Sequence, residues 1–242
     1  MTRGGDRLIV ALDDTTLRSA VAMARRLRGL TRMLKIGSAL FTACGPQAVR
    51  RVRALGFEVM LDLKFFDIPN TVELSCRAAA ALRVGLVTVH AAGGRAMLEA
   101  ASRGARTAAR RLGTQPPKLL AITVLTSDGR GRAASVRTRV VALAREALAA
   151  GCDGVVASAQ EAEALRNALG PHLLIVCPGI RPACAAPGTG APSGGATDDQ
   201  RRVMTPREAL LRGANLLVVG RPITAAARPR EAARNLLQEM EA

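Results

Sequence analysis

Asp62-Leu63-Lys64-Phe65-Phe66-Asp67-Ile68-Pro69-Asn70-Thr71, entered from the apolar residues 57–61, is the stretch on which the reading of this chain turns. It reads as the C-terminal end of a β-strand and places two carboxylates and an ammonium within six positions. Side chains alternate faces along a strand, so Asp62 and Lys64 are expected on one face, roughly 7 Å apart at their backbones, with Leu63 on the other. A strand that turns two charges inward at its C-terminal end is building a site. Lysine is otherwise scarce: Lys35, Lys64 and Lys118 are the only lysines among 35 basic residues. Two of them fall where an apolar strand ends, in Met33-Leu34-Lys35-Ile36-Gly37 and Leu61-Asp62-Leu63-Lys64. A compact ammonium that can exchange a proton is something guanidinium cannot imitate.

Outward from this stretch, short apolar runs alternate with Ala/Leu/Arg-rich segments of helical spacing. Strands are expected at 8–12, 32–36, 58–63, 86–90, 119–124, 154–157, 173–177 and 215–219, and helices at 17–27, 46–55, 72–82 and 136–149, among others. Eight strand–helix units in 242 residues match a single (β/α)8 barrel of the TIM type spanning residues 1–242. An open doubly wound sheet is the alternative; against it, the first strand–helix turn, Leu12-Asp13-Asp14-Thr15, carries no dinucleotide glycine fingerprint. The rhythm breaks over residues 182–199, where Gly, Pro, Ala, Ser and Thr dominate. So long a loop within a barrel is either an active-site lid or disorder. It follows a strand end, Val176-Cys177-Pro178-Gly179-Ile180-Arg181, on the face where barrel enzymes carry their chemistry, and this favours a lid.

Composition closes off several classes of function. Hydrophobic residues make up 49% and charged residues 22%, as in soluble globular proteins. No apolar run approaches the roughly 18 residues that span a bilayer, and the N-terminus has no signal-peptide core. A cytoplasmic protein with no membrane partner is expected. The five cysteines are scattered without a CxxC pair, and His90 and His172 are far apart, so no structural metal site is expected and the cysteines read as buried free thiols. The net charge of +16 raises nucleic-acid binding, but the arginines are spread along the chain and there is neither Tyr nor Trp on which bases could stack. No specific nucleic-acid partner is expected, only nonspecific attraction to polyanions at low salt.

On the barrel reading, Asp13, Lys35, Asp62, Lys64, His90, Thr126, Arg181 and Arg221 gather at the C-terminal ends of the strands. These residues carry a resemblance. Residues 62–71 match, nearly letter for letter, the D-x-K-x-x-D-I-P-N-T signature of the orotidine 5'-phosphate decarboxylase family. In the family's order there follow or precede it ALD at 11–13, LKIG at 34–37, VHAAGG at 89–94, TVLTS at 123–127, PGIRP at 178–182, DDQRRVMTP at 198–206 and VVGRPIT at 218–224. The family's usual Gly-Val-Asp before the fourth strand is Arg83-Val84-Gly85 here, a departure that bears on one turn.

The resemblance implies decarboxylation of orotidine 5'-phosphate to UMP and CO2, at the end of pyrimidine biosynthesis and without a cofactor. It assigns Lys35, Asp62, Lys64 and Asp67 to a charged network in which Lys64 protonates a carbanion at C6 of the pyrimidine. Asp67, Ile68 and Thr71 would come from the neighbouring subunit of a homodimer. Asp13 and Lys35 would hold the ribose, and Thr126 the pyrimidine. Arg221, the Gly220 backbone and Gln200 would bind phosphate, with Arg181 close by. Three other readings stay open. Hexulose-phosphate synthase and keto-gulonate-phosphate decarboxylase carry a related D-x-K-x-x-D pattern and use a metal, but lack the Ile-Pro-Asn-Thr continuation. A noncatalytic nucleotide- or RNA-binding barrel would use the positive charge without needing Lys64. The charged cluster could also be a buried ion network that only fixes the fold. His90, on an apolar strand, reads as structural, and Asp14, Asp128 and Asp153 as cap or loop residues.

Overall fold

In the computed structural model, which describes residues 3–124, 133–182 and 203–242, eight parallel strands close into a barrel in sequence order. They are β1 (Leu8–Leu12), β2 (Met33–Gly37), β3 (Glu58–Phe65), β4 (Leu86–His90), β5 (Lys118–Ile122), β6 (Gly154–Val156), β7 (Leu174–Cys177) and β8 (Leu216–Val219). The closing pair is β1 with β8, Leu8 opposite Leu217 and Val10 opposite Val219. The closed sheet is the (β/α)8 architecture expected from the sequence, and it removes the open-sheet alternative. β1 and β4 have the expected bounds and the other strand ends differ by one or two residues; β3 runs two residues further, to Phe65, for a reason that lies in the site.

Alternation along each strand divides the apolar residues between two layers. Ile9, Ala11, Met60, Leu86, Leu120, Val176 and Val218 point inward and fill the barrel as one cluster. Leu8, Val10, Leu12, Leu34, Ile36, Val59, Leu61, Val87 and Val89 point outward, under the helices, in a second, larger cluster. All five residues of β1 are buried, since the strand has a packed layer on each side. Each fully buried Leu or Val contributes roughly 1.5–3 kcal/mol of apolar transfer.

The helix after β3, Pro69–Ala81, starts three residues earlier than apolar spacing alone predicts. Pro69 stands at its first position, where the missing N–H costs nothing and the ring pre-sets φ. This helix packs closely on the next, Gly94–Leu112. Gly104 permits the approach, since a Cβ there would collide with the Glu73 carbonyl oxygen. The turn where the chain departs from the family pattern is made with Arg83 in the left-handed region, φ 55°. Such a conformation costs a non-glycine residue about 1–2 kcal/mol, so the turn survives the substitution with modest strain. Among the described residues no helix is long and apolar enough to cross a membrane. Cys76, Cys152 and Cys177 are buried free thiols, as read from the sequence, and burial pushes each up to about 12, whereas Cys44 is a free thiol only half-buried.

Candidate active site

A cavity of about 450 Å³ opens at the C-terminal end of the barrel. Its walls carry Asp13, Lys35, Asp62, Lys64, Arg181, Gly220 and Arg221, and its apolar side is made by residues such as Met60, Ile122, Val156 and Val218. Seven of the residues picked out from sequence therefore share one cavity, contributed by β1, β2, β3, β7 and β8 or the residues just beyond them. Strand direction explains part of the convergence: Asp13, Lys35 and Asp62 continue the inward-facing series of Ile9 and Ala11, Met33, and Met60 past the last apolar layer, whereas Arg181 and Arg221 follow the ends of β7 and β8.

The charges alternate along a line. Asp13 Oδ1 lies 3.3 Å from Lys35 Nζ, Lys35 Nζ lies 3.5 Å from Asp62 Oδ2, and Asp62 Oδ2 accepts a hydrogen bond from Lys64 Nζ at 2.8 Å. Asp62 and Lys35 are the buried members, their side chains 10% and 13% exposed, against 41% for Lys64 and 57% for Asp13. Burial by itself would raise the Asp62 carboxyl. The ammonium groups of Lys35 and Lys64, with hydrogen bonds from Lys64 and Thr88, outweigh it and hold the carboxyl below the usual carboxylate range. Asp62 is thus a carboxylate at neutral pH.

The meeting of Asp62 and Lys64 is not produced by regular alternation. Leu61 pairs with Val87 and Phe65 with Val89, so Asp62, Leu63 and Lys64 together stand opposite the single residue Thr88. This bulge lets β3 run on to Phe65. It also turns Lys64 into the left-handed region, φ 51°, a conformation costing on the order of 1–3 kcal/mol for a residue with a Cβ. The Lys64 backbone N–H donates to Thr88 Oγ1 at 2.9 Å, and Thr88 Oγ1 donates to Asp62 Oδ1 at 2.9 Å. Thr88 was not singled out from sequence. Alternation within Leu86-Val87-Thr88-Val89-His90 gives only its inward face, shared with Leu86 and His90, and not its partners.

Beside β1, β8 ends at Gly220 and Arg221, which also line the cavity. A Cβ on Gly220 would stand 3.1 Å from Asp13 Oδ2, so glycine lets this turn approach the β1 carboxylate. Arg181 lies just past β7, its backbone N–H donating to the Met204 carbonyl at 3.0 Å. His90 is beside the cavity rather than in its wall, its ring tilted against Phe66 with centroids 5.5 Å apart. Burial first, then the Lys64 charge, lower its pKa, so it is neutral at physiological pH. Asp153 is a loop residue that accepts the Leu119 backbone N–H at 2.8 Å.

Asp67, Ile68 and Thr71 do not reach the cavity of their own chain. Residues 66–71 are all exposed, Phe66 at 61% and Ile68 at 66%, and the Asp67 carboxylate accepts the Ile68 backbone N–H. Thr126, Gln200, Asp128 and residues 183–199 of the expected lid lie outside the described residues.

Known proteins resemble this chain in sequence and in fold. The sequence profile of the Orotidine 5'-phosphate decarboxylase / HUMPS family matches residues 6–236. The orotidine 5'-phosphate decarboxylase of Moorella thermoacetica is 47% identical over 243 aligned residues, covering 98% of this chain and 92% of that protein. The protein of the same name from Nitrosococcus oceani is 46% identical, with 97% of each chain covered. The crystal structure of orotidine 5'-phosphate decarboxylase from Lactobacillus acidophilus superimposes with a TM-score of 0.80 at 33% identity, covering 98% of this chain and all of that one.

Proposed function

This chain belongs to the Orotidine 5'-phosphate decarboxylase / HUMPS family, and from that premise we propose that its cavity converts orotidine 5'-phosphate to UMP and CO2 by electrostatic stabilisation of a C6 carbanion. The reaction is a carboxy-lyase step that completes a pyrimidine nucleotide. One observation carries the mechanism: a buried carboxylate, Asp62, is held between two ammonium groups at 2.8 and 3.5 Å, on the wall of a cavity that also presents Arg181 and Arg221.

Loss of CO2 from C6 leaves an electron pair in the plane of the ring, where the π system stabilises it poorly. Preorganised charge must do that work. The substrate carboxylate packs toward Asp62, where two like charges about 4 Å apart repel by roughly 4 kcal/mol at an effective dielectric of 20. The repulsion vanishes as CO2 departs. Lys64, already hydrogen-bonded to Asp62, faces the growing negative charge and then gives C6 its proton. Asp13 and Lys35 take the ribose hydroxyls. Arg221 and the Gly220 backbone take the phosphate, with Arg181 beside them. On sequence grounds Thr126 contacts the pyrimidine, and residues 182–199 form the lid that brings Gln200 to the phosphate. Binding energy at the phosphate end is thereby available to the reacting end. The whole chain works as one catalytic barrel, in the cytoplasm.

A metal-dependent reaction of the same family is the rival. The donor set at Asp62 opposes it, because Lys35 and Lys64 both approach the same oxygen, Oδ2, and would repel a dication placed there. The deciding measurement is the fall in orotidylate absorbance in excess chelator. Full activity is expected there; activity that vanishes with chelator and returns with magnesium would move the chain to the hexulose-phosphate synthase branch.

The exposed stretch at residues 66–71 supports a homodimer. Phe66, Ile68 and Leu74 are large apolar side chains left in solvent beside Asp67, and a second copy seated there would cover them and carry Asp67, Ile68 and Thr71 into its partner's site. Mixing inactive Asp67→Ala subunits with inactive Lys64→Ala subunits is then expected to restore activity. One of the two sites in the mixed dimer receives Lys64 and Asp67 from different chains, both intact. Mixed dimers shown by mass to form, yet without activity, would place Asp67 in the service of its own subunit.

A further inference from the structure

We infer that Thr88 is the positioning residue that sets both halves of the Asp62–Lys64 pair, holding the lysine in its left-handed conformation and orienting the carboxylate through a single hydroxyl. The inference deepens the reading of Asp62 and Lys64 as the reacting pair and rests on it.

The bulge in β3 creates a local problem. In a regular parallel ladder Leu63, one past Asp62, would pair with Val89; here Phe65 does. The Lys64 N–H, displaced by the bulge, finds the Thr88 side chain instead of a strand carbonyl. Thr88 is completely buried, so water cannot substitute for it. A hydroxyl has one proton. Because Oγ1 accepts from the Lys64 N–H, that proton is free to go to Asp62 Oδ1, and the geometry puts it there at 2.9 Å. The bonding direction is therefore fixed from one end to the other: Lys64 backbone to Thr88, Thr88 to Asp62 Oδ1, and Lys64 ammonium to Asp62 Oδ2. The three residues form a closed ring in which the backbone angle of Lys64 and the plane of the Asp62 carboxylate are determined together. Thr88 touches neither the reacting carbon nor the leaving group, and it does not line the cavity. Its effect passes entirely through its two neighbours.

Valine has the shape of threonine without the hydroxyl. Thr88→Val should leave the barrel core filled, free Lys64 from its left-handed angle and let the ammonium move off Asp62. A displacement of about 1 Å in a reacting group costs on the order of a hundredfold in rate, so turnover of orotidylate should fall by about that factor. UMP affinity should change less than about threefold, since product is held through ribose and phosphate. Thr88→Ser, which keeps the hydroxyl, should recover turnover to within about tenfold of the parent. Should the valine variant not fold, Thr88→Cys takes its place, because a thiol fits the site but is a weak donor and acceptor; it should lose turnover where serine keeps it. Turnover unchanged in Thr88→Val, serine as impaired as valine or cysteine, or UMP affinity falling in step with turnover would each overturn the role. A crystal structure of Thr88→Val separates this from the underlying reading. If the parent protein had no orotidylate activity, the catalytic reading would fail. Lys64 still left-handed and seated on Asp62 in the variant would overturn the Thr88 inference alone.

Discussion

Lys64→Ala should abolish turnover while leaving UMP binding nearly intact. Two contributions leave with the ammonium. As a general acid it is worth roughly 10²–10⁴-fold, and as a preorganised charge facing the carbanion it is worth roughly a further 10²–10³-fold. A combined loss on the order of 10⁵-fold in kcat is expected, read by the orotidylate absorbance assay, against a change of less than about tenfold in the Kd for UMP measured by calorimetry. The contrast follows from differential binding: charge at C6 exists in the transition state and not in the product. Asp62 keeps its contacts with Lys35 and Thr88 in the variant, so the fold should persist. Lys64→Arg should fail as well, since guanidinium is too weak an acid near neutral pH and too broad to occupy the 2.8 Å contact with Asp62 in the same way. Equal losses in turnover and UMP affinity would make Lys64 a general anchor for the nucleotide.

The second large effect is expected at the other end of the cavity. Arg221 follows β8 directly behind Gly220 and lines the same cavity as the charged network of β1 to β3. A guanidinium offers a phosphate two parallel donors. Truncating one partner of a desolvated, hydrogen-bonded charge pair costs about 2–5 kcal/mol, which is roughly 30- to 4,000-fold in kcat/KM for orotidylate. Gln200→Ala should lose efficiency more mildly. Orotidine, which has no phosphate, should be turned over equally by the parent and by both variants, to within about threefold. Measuring both substrates separates the roles. If Arg221→Ala harms orotidine turnover as much as orotidylate turnover, the residue supports the barrel and the phosphate grip is wrong. The two variants together also test whether the cavity has two ends with separate tasks, because Lys64→Ala should impair orotidine and orotidylate alike.

The residues proposed for phosphate binding and for charge stabilisation sit on different strands, and the sequence already separated them. The apolar run 57–61 ending in Asp62 and Lys64, and the run ending at Gly220-Arg221, were legible because strand-terminal charge after an apolar series is unusual and local. Thr88 was not. Its hydroxyl acts on residues 24 and 26 positions earlier in the chain, and nothing in Leu-Val-Thr-Val-His says that a neighbouring strand will bulge against it. The exposed positions of Asp67, Ile68 and Thr71 were likewise a tertiary finding, since their spacing after Lys64 would fit a side chain turned into the site of its own chain as readily as one turned outward.

By itself, then, the sequence determined the period-two and period-3.6 alternation that makes eight strand–helix units, and the inward placement of Asp13, Lys35 and Asp62. These depend on contacts within a few residues, where backbone stereochemistry and side-chain polarity suffice. Only the tertiary structure decided that β8 closes on β1, that Lys35 comes within 3.5 Å of Asp62, and that Lys64 reaches Asp62 through a left-handed backbone held by Thr88. Closure and bulging are settled by pairing between distant segments, in which a register shift of one residue exchanges the inner and outer faces of a strand. A lysine at φ 51° is disfavoured by its own Cβ, so local propensity argues against the very conformation that the surrounding barrel imposes.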